Sequence, residues 1–252
     1  MIKSVSELKV QIFADGADIA SMLELYRQPY IKGFTTNPTL MHNAGVKDYE
    51  RFAHDILAQI PDRPISFEVF ADDGNEMERQ AHRIAGWASN VYVKIPVTNT
   101  RGVPMHGLIR RLSHDGIQVN ATALLALEQV KQIAKALQGG APSYVSVFAG
   151  RVADTGRDPI PLMKSALDLL APTTQLVWAS PRELLNIIQA DQIGCHIITV
   201  TSDVLKKISL IGKDLQEFSL ETVRMFYDDA AKSGYKLELA AEERPVGSLA
   251  SR

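Results

Sequence analysis

One cysteine, Cys195, is the whole thiol content of this 252-residue chain, so no internal disulfide can staple it. Its neighbours Ile193, Ile197 and Ile198 fit a buried, inert thiol better than a nucleophile. A marked excess of either charge is also missing: the net charge is −2, which gives no electrostatic case for nucleic acid or an anionic membrane surface. No apolar run approaches the roughly 18 residues that span a bilayer. The start, Met1 to Glu7, lacks the apolar block of a secretion signal; a cytoplasmic protein is expected. The six histidines, His42, His54, His82, His106, His114 and His196, show no short ligand spacing, so no metal is expected. No glycine-rich nucleotide fingerprint follows any apolar run, and the pair Gly139-Gly140 precedes one instead. A nucleotide is not indicated, and no other cofactor is expected.

What the chain does have is the balance of an ordinary globular protein, 46% hydrophobic and 22% charged. Short β-rich runs alternate with longer amphipathic ones. Candidate strands are Val10–Ala14, Ile31–Thr35, Ile65–Phe70, Val91–Val97, Ile117–Thr122, Tyr144–Phe148, Gln175–Ala179 and His196–Val200. Helical periodicity falls over Asp18–Tyr26, Lys47–Ile60, Asn75–Ala88, Met105–Ser113, Leu124–Leu137, Pro159–Leu170 and Pro181–Gln189, then over Asp203–Gly212 and Ser219–Ser233. Eight βα units predict an α/β fold, a single (β/α)8 TIM barrel with an additional C-terminal helix, spanning residues 1–235. A doubly wound open sheet is the competing fold. Residues 236–252 carry no period and are expected to form a mobile tail. The C-terminal helix, with Val223, Phe226, Tyr227 and Ala230 on related faces, is suited to cover its own barrel or to pack on a neighbouring subunit.

Strands of a parallel barrel are buried on both faces and should be almost continuously apolar. Lys94 breaks that rule inside Val91-Tyr92-Val93-Lys94-Ile95-Pro96. Burial disfavours the ammonium form and leaves an amine able to attack a carbonyl, which makes Lys94 a candidate Schiff-base nucleophile. The alternative is a lysine whose stem is covered while its head reaches solvent. Other strands depart as well: Asp15 ends the first, Thr35-Thr36-Asn37-Pro38 the second, and Glu68 lies in the third. Asn120 and Thr122 are in the fifth, Ser146 in the sixth, and Ser180 closes the seventh. Period-two alternation puts Asn120 with Thr122, and Tyr144 with Ser146 and Phe148, on shared faces, so polar groups converge on one volume. Two carboxylates and an amine there supply a nucleophile with acid/base partners. Mutually satisfied buried polar groups are the plain structural alternative. Arg151 follows the sixth strand and Arg182 the seventh, at the expected start of a helix, which resembles an anion site. A surface salt bridge is the ordinary explanation for either arginine alone.

These elements together resemble a transaldolase, of the short subfamily that also contains fructose-6-phosphate aldolases. The likeness runs from about Val10 to Asp229 through Phe13-Ala14-Asp15-Gly16, Gly33-Phe34-Thr35-Thr36-Asn37-Pro38-Thr39, Val93-Lys94-Ile95-Pro96, Asn120-Ala121-Thr122, Tyr144 to Arg151, and Ala179-Ser180-Pro181-Arg182. It implies that Lys94 is the Schiff-base lysine, Asp15 the carboxylate taking the hydroxyl proton in C3–C4 cleavage, and Glu68 with Thr122 the holders of a catalytic water. Thr35, Asn37, Asn120 and Ser146 match residues around the dihydroxyacetone portion, with Phe148 in the same substrate-binding set. Arg151, Ser180 and Arg182 match phosphate binders. The family's aldolases carry glutamine at the position of Glu68 and tyrosine at that of Phe148, so the resemblance favours transfer over aldol release. Val147, Pro181 and the longer loop Thr98 to Pro104 depart from the pattern and are expected at the rim. They leave open a related anionic ketose, such as a sulfosugar, in place of a sugar phosphate. The resemblance further implies a class I transaldolase of the pentose phosphate pathway acting on small sugars. It also implies a homo-oligomer, with ring-shaped decamers among short members.

Overall fold

The computed structural model describes residues 4–237. Eight parallel strands close into a barrel in chain order, which settles the choice against the open sheet. The strands are β1 (Gln11–Asp15), β2 (Ile31–Thr35), β3 (Ile65–Glu68), β4 (Val91–Pro96), β5 (Val119–Leu124), β6 (Ser143–Val147), β7 (Thr174–Trp178) and β8 (Ile197–Thr201). Between and after them run α1 (Ile19–Tyr26), α2 (Pro38–Asn43), α3 (Tyr49–Gln59), α4 (Gly74–Ala85), α5 (His106–His114), α6 (Leu127–Leu137), α7 (Ala149–Ala153), α8 (Ile160–Leu167), α9 (Leu185–Gln192), α10 (Ser202–Leu205) and α11 (Leu215–Ser233). The chain divides into a barrel unit ending at Ile211 and a second unit beginning at Gly212. The second unit holds α11, capped at its start by the Asp214 carboxylate and closed by Gly234 in the left-handed region. Apart from Lys236 and Leu237, the expected tail lies outside the described residues. Among the described residues no helix is long and apolar enough to cross a membrane.

Strand positions agree with the sequence pattern to within about two residues; among the helices, the short α7 has no counterpart in that pattern, α11 starts at Leu215 rather than at Ser219, and three further regions differ. Asn37-Pro38 starts α2, which the periodicity of so short a segment does not betray: the Asn37 side chain accepts the Leu40 N–H at 2.9 Å and Pro38 takes the first helical position. The single helix expected over Asp203–Gly212 divides into α10 and a 3₁₀ turn, Ile208–Leu210. There the backbone tightens to i→i+3 bonds, Lys207 N–H to Val204 and Leu210 N–H to Lys207. The third, Pro181–Gln189, concerns the site and is taken up below.

Two cores follow from the alternation of side chains. One lies between strands and helices, with Ile12, Ile65, Val93, Ile95, Val145 and Trp178 meeting helical residues such as Ile56, Ile84, Ile109 and Ile133. The other fills the barrel's inside: Phe13, Tyr92, Tyr144, Val177 and Ile197. The Tyr92 and Tyr144 rings stack at 3.8 Å and Phe13 meets Tyr144 edge-on. Gly33 makes this floor possible, because a Cβ there would lie 2.6 Å from the Phe13 ring. Cys195 is buried, with Sγ 3.3 Å from the Ile197 carbonyl oxygen. Burial pushes its thiol up to about 12, so it is the inert thiol its neighbours imply.

Candidate active site

Two residues further along five of the strands, the inward positions change from apolar to polar. Asp15 follows Phe13, Thr35 follows Gly33, Lys94 follows Tyr92, Ser146 follows Tyr144 and Thr199 follows Ile197. The aromatic floor thus carries a polar layer, and above it a cavity of about 650 Å³ is lined by the carboxyl ends of the strands. Asp15, Thr35, Asn37, Glu68, Lys94, Asn120, Thr122, Ser146, Phe148, Arg151, Ser180 and Arg182 all line it. Every site residue singled out in the sequence is therefore brought to one volume.

Lys94 is 7% exposed, which excludes the arrangement with its head in bulk solvent. Pairing in register with Glu68 on one side and Asn120 on the other fixes its height in the barrel. Its Nζ donates to the Thr36 carbonyl at 2.7 Å and lies 3.3 Å from Glu68 Oε2. Asp15 opens to the same cavity, where Thr35 Oγ1 donates to Oδ1 at 2.8 Å and Asn37 Nδ2 reaches Oδ2 at 3.4 Å. Burial raises the Asp15 pKa above the ordinary carboxylate range, and the Glu68 charge adds to that; the nearby Lys94 charge and the two hydrogen bonds oppose it.

The far wall is a network across three strands. Ser146 Oγ donates to Asn120 Oδ1 at 2.7 Å, and Asn120 Nδ2 donates to Ser66 Oγ at 3.0 Å. These bonds orient Asn120 and leave no freedom to its amide. Thr122 Oγ1 is buried in the wall with no partner among the described residues, so it has a hydroxyl to give to a bound molecule. The backbone after it turns left-handed at Ala123, φ 64°.

At the mouth, the Arg151 guanidinium stands 5.4 Å from the Phe148 ring centre. Gly150 abuts the neighbouring loop so closely that a Cβ would fall 1.6 Å from the Ser180 carbonyl oxygen. Ser180 is itself left-handed, φ 60°. Arg182 forks onto Asp154, with Nε 2.9 Å from Oδ1 and a second short bond to Oδ2, which lowers the Asp154 pKa. The sequence placed Arg182 at a helix start, but α9 begins only at Leu185. Left-handed Ser180 and the Asn186 side chain, accepting from the N–H groups of Arg182 and Glu183, hold the preceding segment as a loop. The helix-dipole argument therefore does not apply to Arg182. Of the departures expected at the rim, Pro181 lines the cavity, while Val147 and the loop 98–104 do not. Val147 is fully buried. The loop is folded onto Asp72, which accepts from the Thr100 N–H at 2.7 Å and hydroxyl at 2.8 Å.

β8 is where the sequence reading fell short. Thr199 and Thr201 face the cavity, with Asp203 just beyond. The phase Ile197, Thr199, Thr201 carries the signal, but threonine is so common in strands that it does not look foreign there. Tyr49 is a second omission: it lies in α3, outside the barrel, yet its hydroxyl bonds the backbone of Glu68.

Known proteins are similar to this chain in sequence and in fold. A probable transaldolase of Dehalococcoides mccartyi is 36% identical over 202 residues, covering 79% of this chain and 90% of that protein. Another, of a Thermoanaerobacter species, is 32% identical over 231 residues, 90% of this chain and all of that one. Among solved structures, the 3-hexulose-6-phosphate synthase of Salmonella typhimurium superposes with a TM-score of 0.56 at 16% identity over 81% of this chain and 98% of that one, a likeness of fold alone. The sequence model of Transaldolase/Fructose-6-phosphate aldolase matches residues 12–244. With a buried lysine, two carboxylates and a polar wall at the carboxyl end of a closed barrel, and with these relatives, the chain belongs to the transaldolase/fructose-6-phosphate aldolase family.

Proposed function

We propose that this enzyme is a class I transaldolase, which moves a dihydroxyacetone unit from a ketose phosphate such as fructose 6-phosphate to an aldose phosphate through a Schiff base on Lys94. The observation that carries the reading is the placement of the Lys94 amine inside the cavity, 3.3 Å from Glu68 and sharing its walls with Asp15 and Thr122. Glu68 is near enough to take the ammonium proton, leaving an amine that attacks C2 of the donor. Glu68 and the unpartnered Thr122 hydroxyl then handle the water lost as the imine forms. Asp15 takes the C4 hydroxyl proton, the C3–C4 bonding pair moves into the iminium, and the aldehyde leaves. The resulting enamine is held by Thr35, Asn37, Asn120 and Ser146 until an acceptor aldehyde adds and takes the proton back. Water then hydrolyses the imine and frees Lys94. Arg151, Ser180 and Arg182 hold the anionic tail, and Phe148 closes that side. Glu68 and Phe148 are the residues that favour transfer over aldol release. The protein is proposed to work in the cytoplasm as a homo-oligomer, within the pentose phosphate pathway.

Borohydride added during turnover of fructose 6-phosphate should fix a three-carbon unit on Lys94, read by peptide mass. Label elsewhere, or none, overturns the mechanism for that donor. Release of glyceraldehyde 3-phosphate without acceptor, as fast as transfer, would make the enzyme an aldolase instead. A panel with sulfonated ketoses would show whether another anion replaces the phosphate.

A further inference from the structure

Thr199 is buried in the cavity wall and has no part in the steps above. It stands on β8 and Thr35 on β2, the two strands that flank β1, so their side chains meet over the strand that carries Asp15. Their hydroxyls are bonded to one another, and the Thr35 hydroxyl is bonded to Asp15 Oδ1 at 2.8 Å. A threonine hydroxyl has one hydrogen to give. While Asp15 is ionised it only accepts, so Thr35 gives its hydrogen to Asp15, and the bond to Thr199 exists only if Thr199 donates. Once Asp15 holds a proton, the same three groups can bond in the opposite sense, Asp15 to Thr35 to Thr199, with no heavy atom moving.

We propose that Thr199 is a positioning residue for the reaction: it aims the Thr35 hydroxyl at Asp15, and the reversible pair of hydroxyls lets Asp15 take up and return the substrate proton without losing a hydrogen bond. This rests on Asp15 being the group that carries that proton. The charged groups acting on Asp15 are Lys94 from β4 and Glu68 from β3. Asp203, bonded by Thr201, lines the same cavity beside β8. Among the described residues none of these is hydrogen-bonded to Thr199, whose hydroxyl bonds Thr35, so its influence runs through Thr35.

The test compares Thr199→Val, which keeps the shape, with Thr199→Ser, which keeps the hydroxyl. Thr199→Val should lower kcat for transfer from fructose 6-phosphate by several-fold to about tenfold, the scale of one lost hydrogen bond between neutral groups. KM should stay within about twofold, and the acid limb of the kcat profile should move to higher pH. Thr199→Ser should restore both, and in an Asp15→Asn background Thr199→Val should have no further effect on kcat. Carbon NMR of labelled aspartate, with the Asp15 signal identified by its loss in Asp15→Asn, reads the same chain without substrate. Its titration midpoint should rise in Thr199→Val, because the chain of donors that ends on the ionised carboxylate is charge-assisted and the reversed, neutral chain is not, and should not rise in Thr199→Ser. An unmoved Asp15 midpoint, or a Thr199→Val loss that serine does not rescue, overturns the proposal. Full turnover by Asp15→Asn would instead overturn the role given to Asp15.

Discussion

The Tyr49 hydroxyl clamps the backbone of Glu68 at both of its polar groups, donating to the carbonyl at 2.9 Å and accepting from the N–H at 2.8 Å. Tyr49 is packed edge-on against Phe67, Phe70 and Trp87, so its ring will not move if the oxygen is removed. Tyr49→Phe should leave two backbone groups unpaired and lower stability by about 1–3 kcal/mol, measured by urea denaturation. It should also lower kcat several-fold, because Glu68 loses the fixture at the end of β3, while the borohydride label on Lys94 persists. A stability loss with unaltered kcat would show that Tyr49 serves the fold only.

Asp15 illustrates how a site can work against the fold. Its pKa is raised in the folded protein, chiefly by burial, so the native state binds its proton more tightly than the unfolded chain does. In the window from the unfolded value, about 3.9, up to the raised one, native protein holds more protons, and stability falls as pH rises. Above that window the penalty is complete. Asp15→Asn should therefore be more stable than the parent at pH 7 and lose that advantage in acid, as read from urea midpoints. Turnover should fall by on the order of 10²–10⁴-fold. A variant no more stable than its parent at neutral pH would mean that Lys94 fully offsets the cost of burying the charge.

His196 acts in the opposite sense. Its Nδ1 accepts the Leu176 N–H at 3.0 Å, and burial lowers its pKa. Below an unfolded value of about 6.5 the unfolded chain takes up a proton that the native ring refuses, so stability is lost as pH falls from there. His196→Asn should flatten the stability profile below about pH 6.5. An unchanged slope would place the acid sensitivity elsewhere.

Much of this architecture could be read from the chain because the signals were chemical contradictions. A lysine and a glutamate inside β-branched runs have no place in a barrel core, and period two then sends each to the inside with Asn120 and Ser146. What escaped notice involved no contradiction. Thr199 is an unremarkable strand residue until Thr35 and Asp15 are seen beside it. Tyr49 reaches Glu68 from a helix, a contact that spacing along the chain does not encode. Arg182 was found but misplaced, since the left-handed Ser180 that delays α9 leaves no mark in composition.

Gly150 and Ser180 give the last prediction. Ser180 holds a conformation that disfavours any side chain, and such positions cost on the order of 1–3 kcal/mol. It is held there by the first turn of α7, where Gly150 brings the backbone against the Ser180 carbonyl with no space for a Cβ. The same close approach joins Ser180 to the segment that carries Arg151, and both line the cavity together with Arg182. Gly150→Ala must push α7 and the loop of Ser180 apart. KM for fructose 6-phosphate should rise by on the order of tenfold or more, as expected for losing at least one charge-assisted bond to the anionic tail. KM for the unphosphorylated ketose, which has no tail to bind, should change little. The ratio of the two KM values is the measurement: if both rise together, Gly150 shapes the whole cavity and not its anionic end.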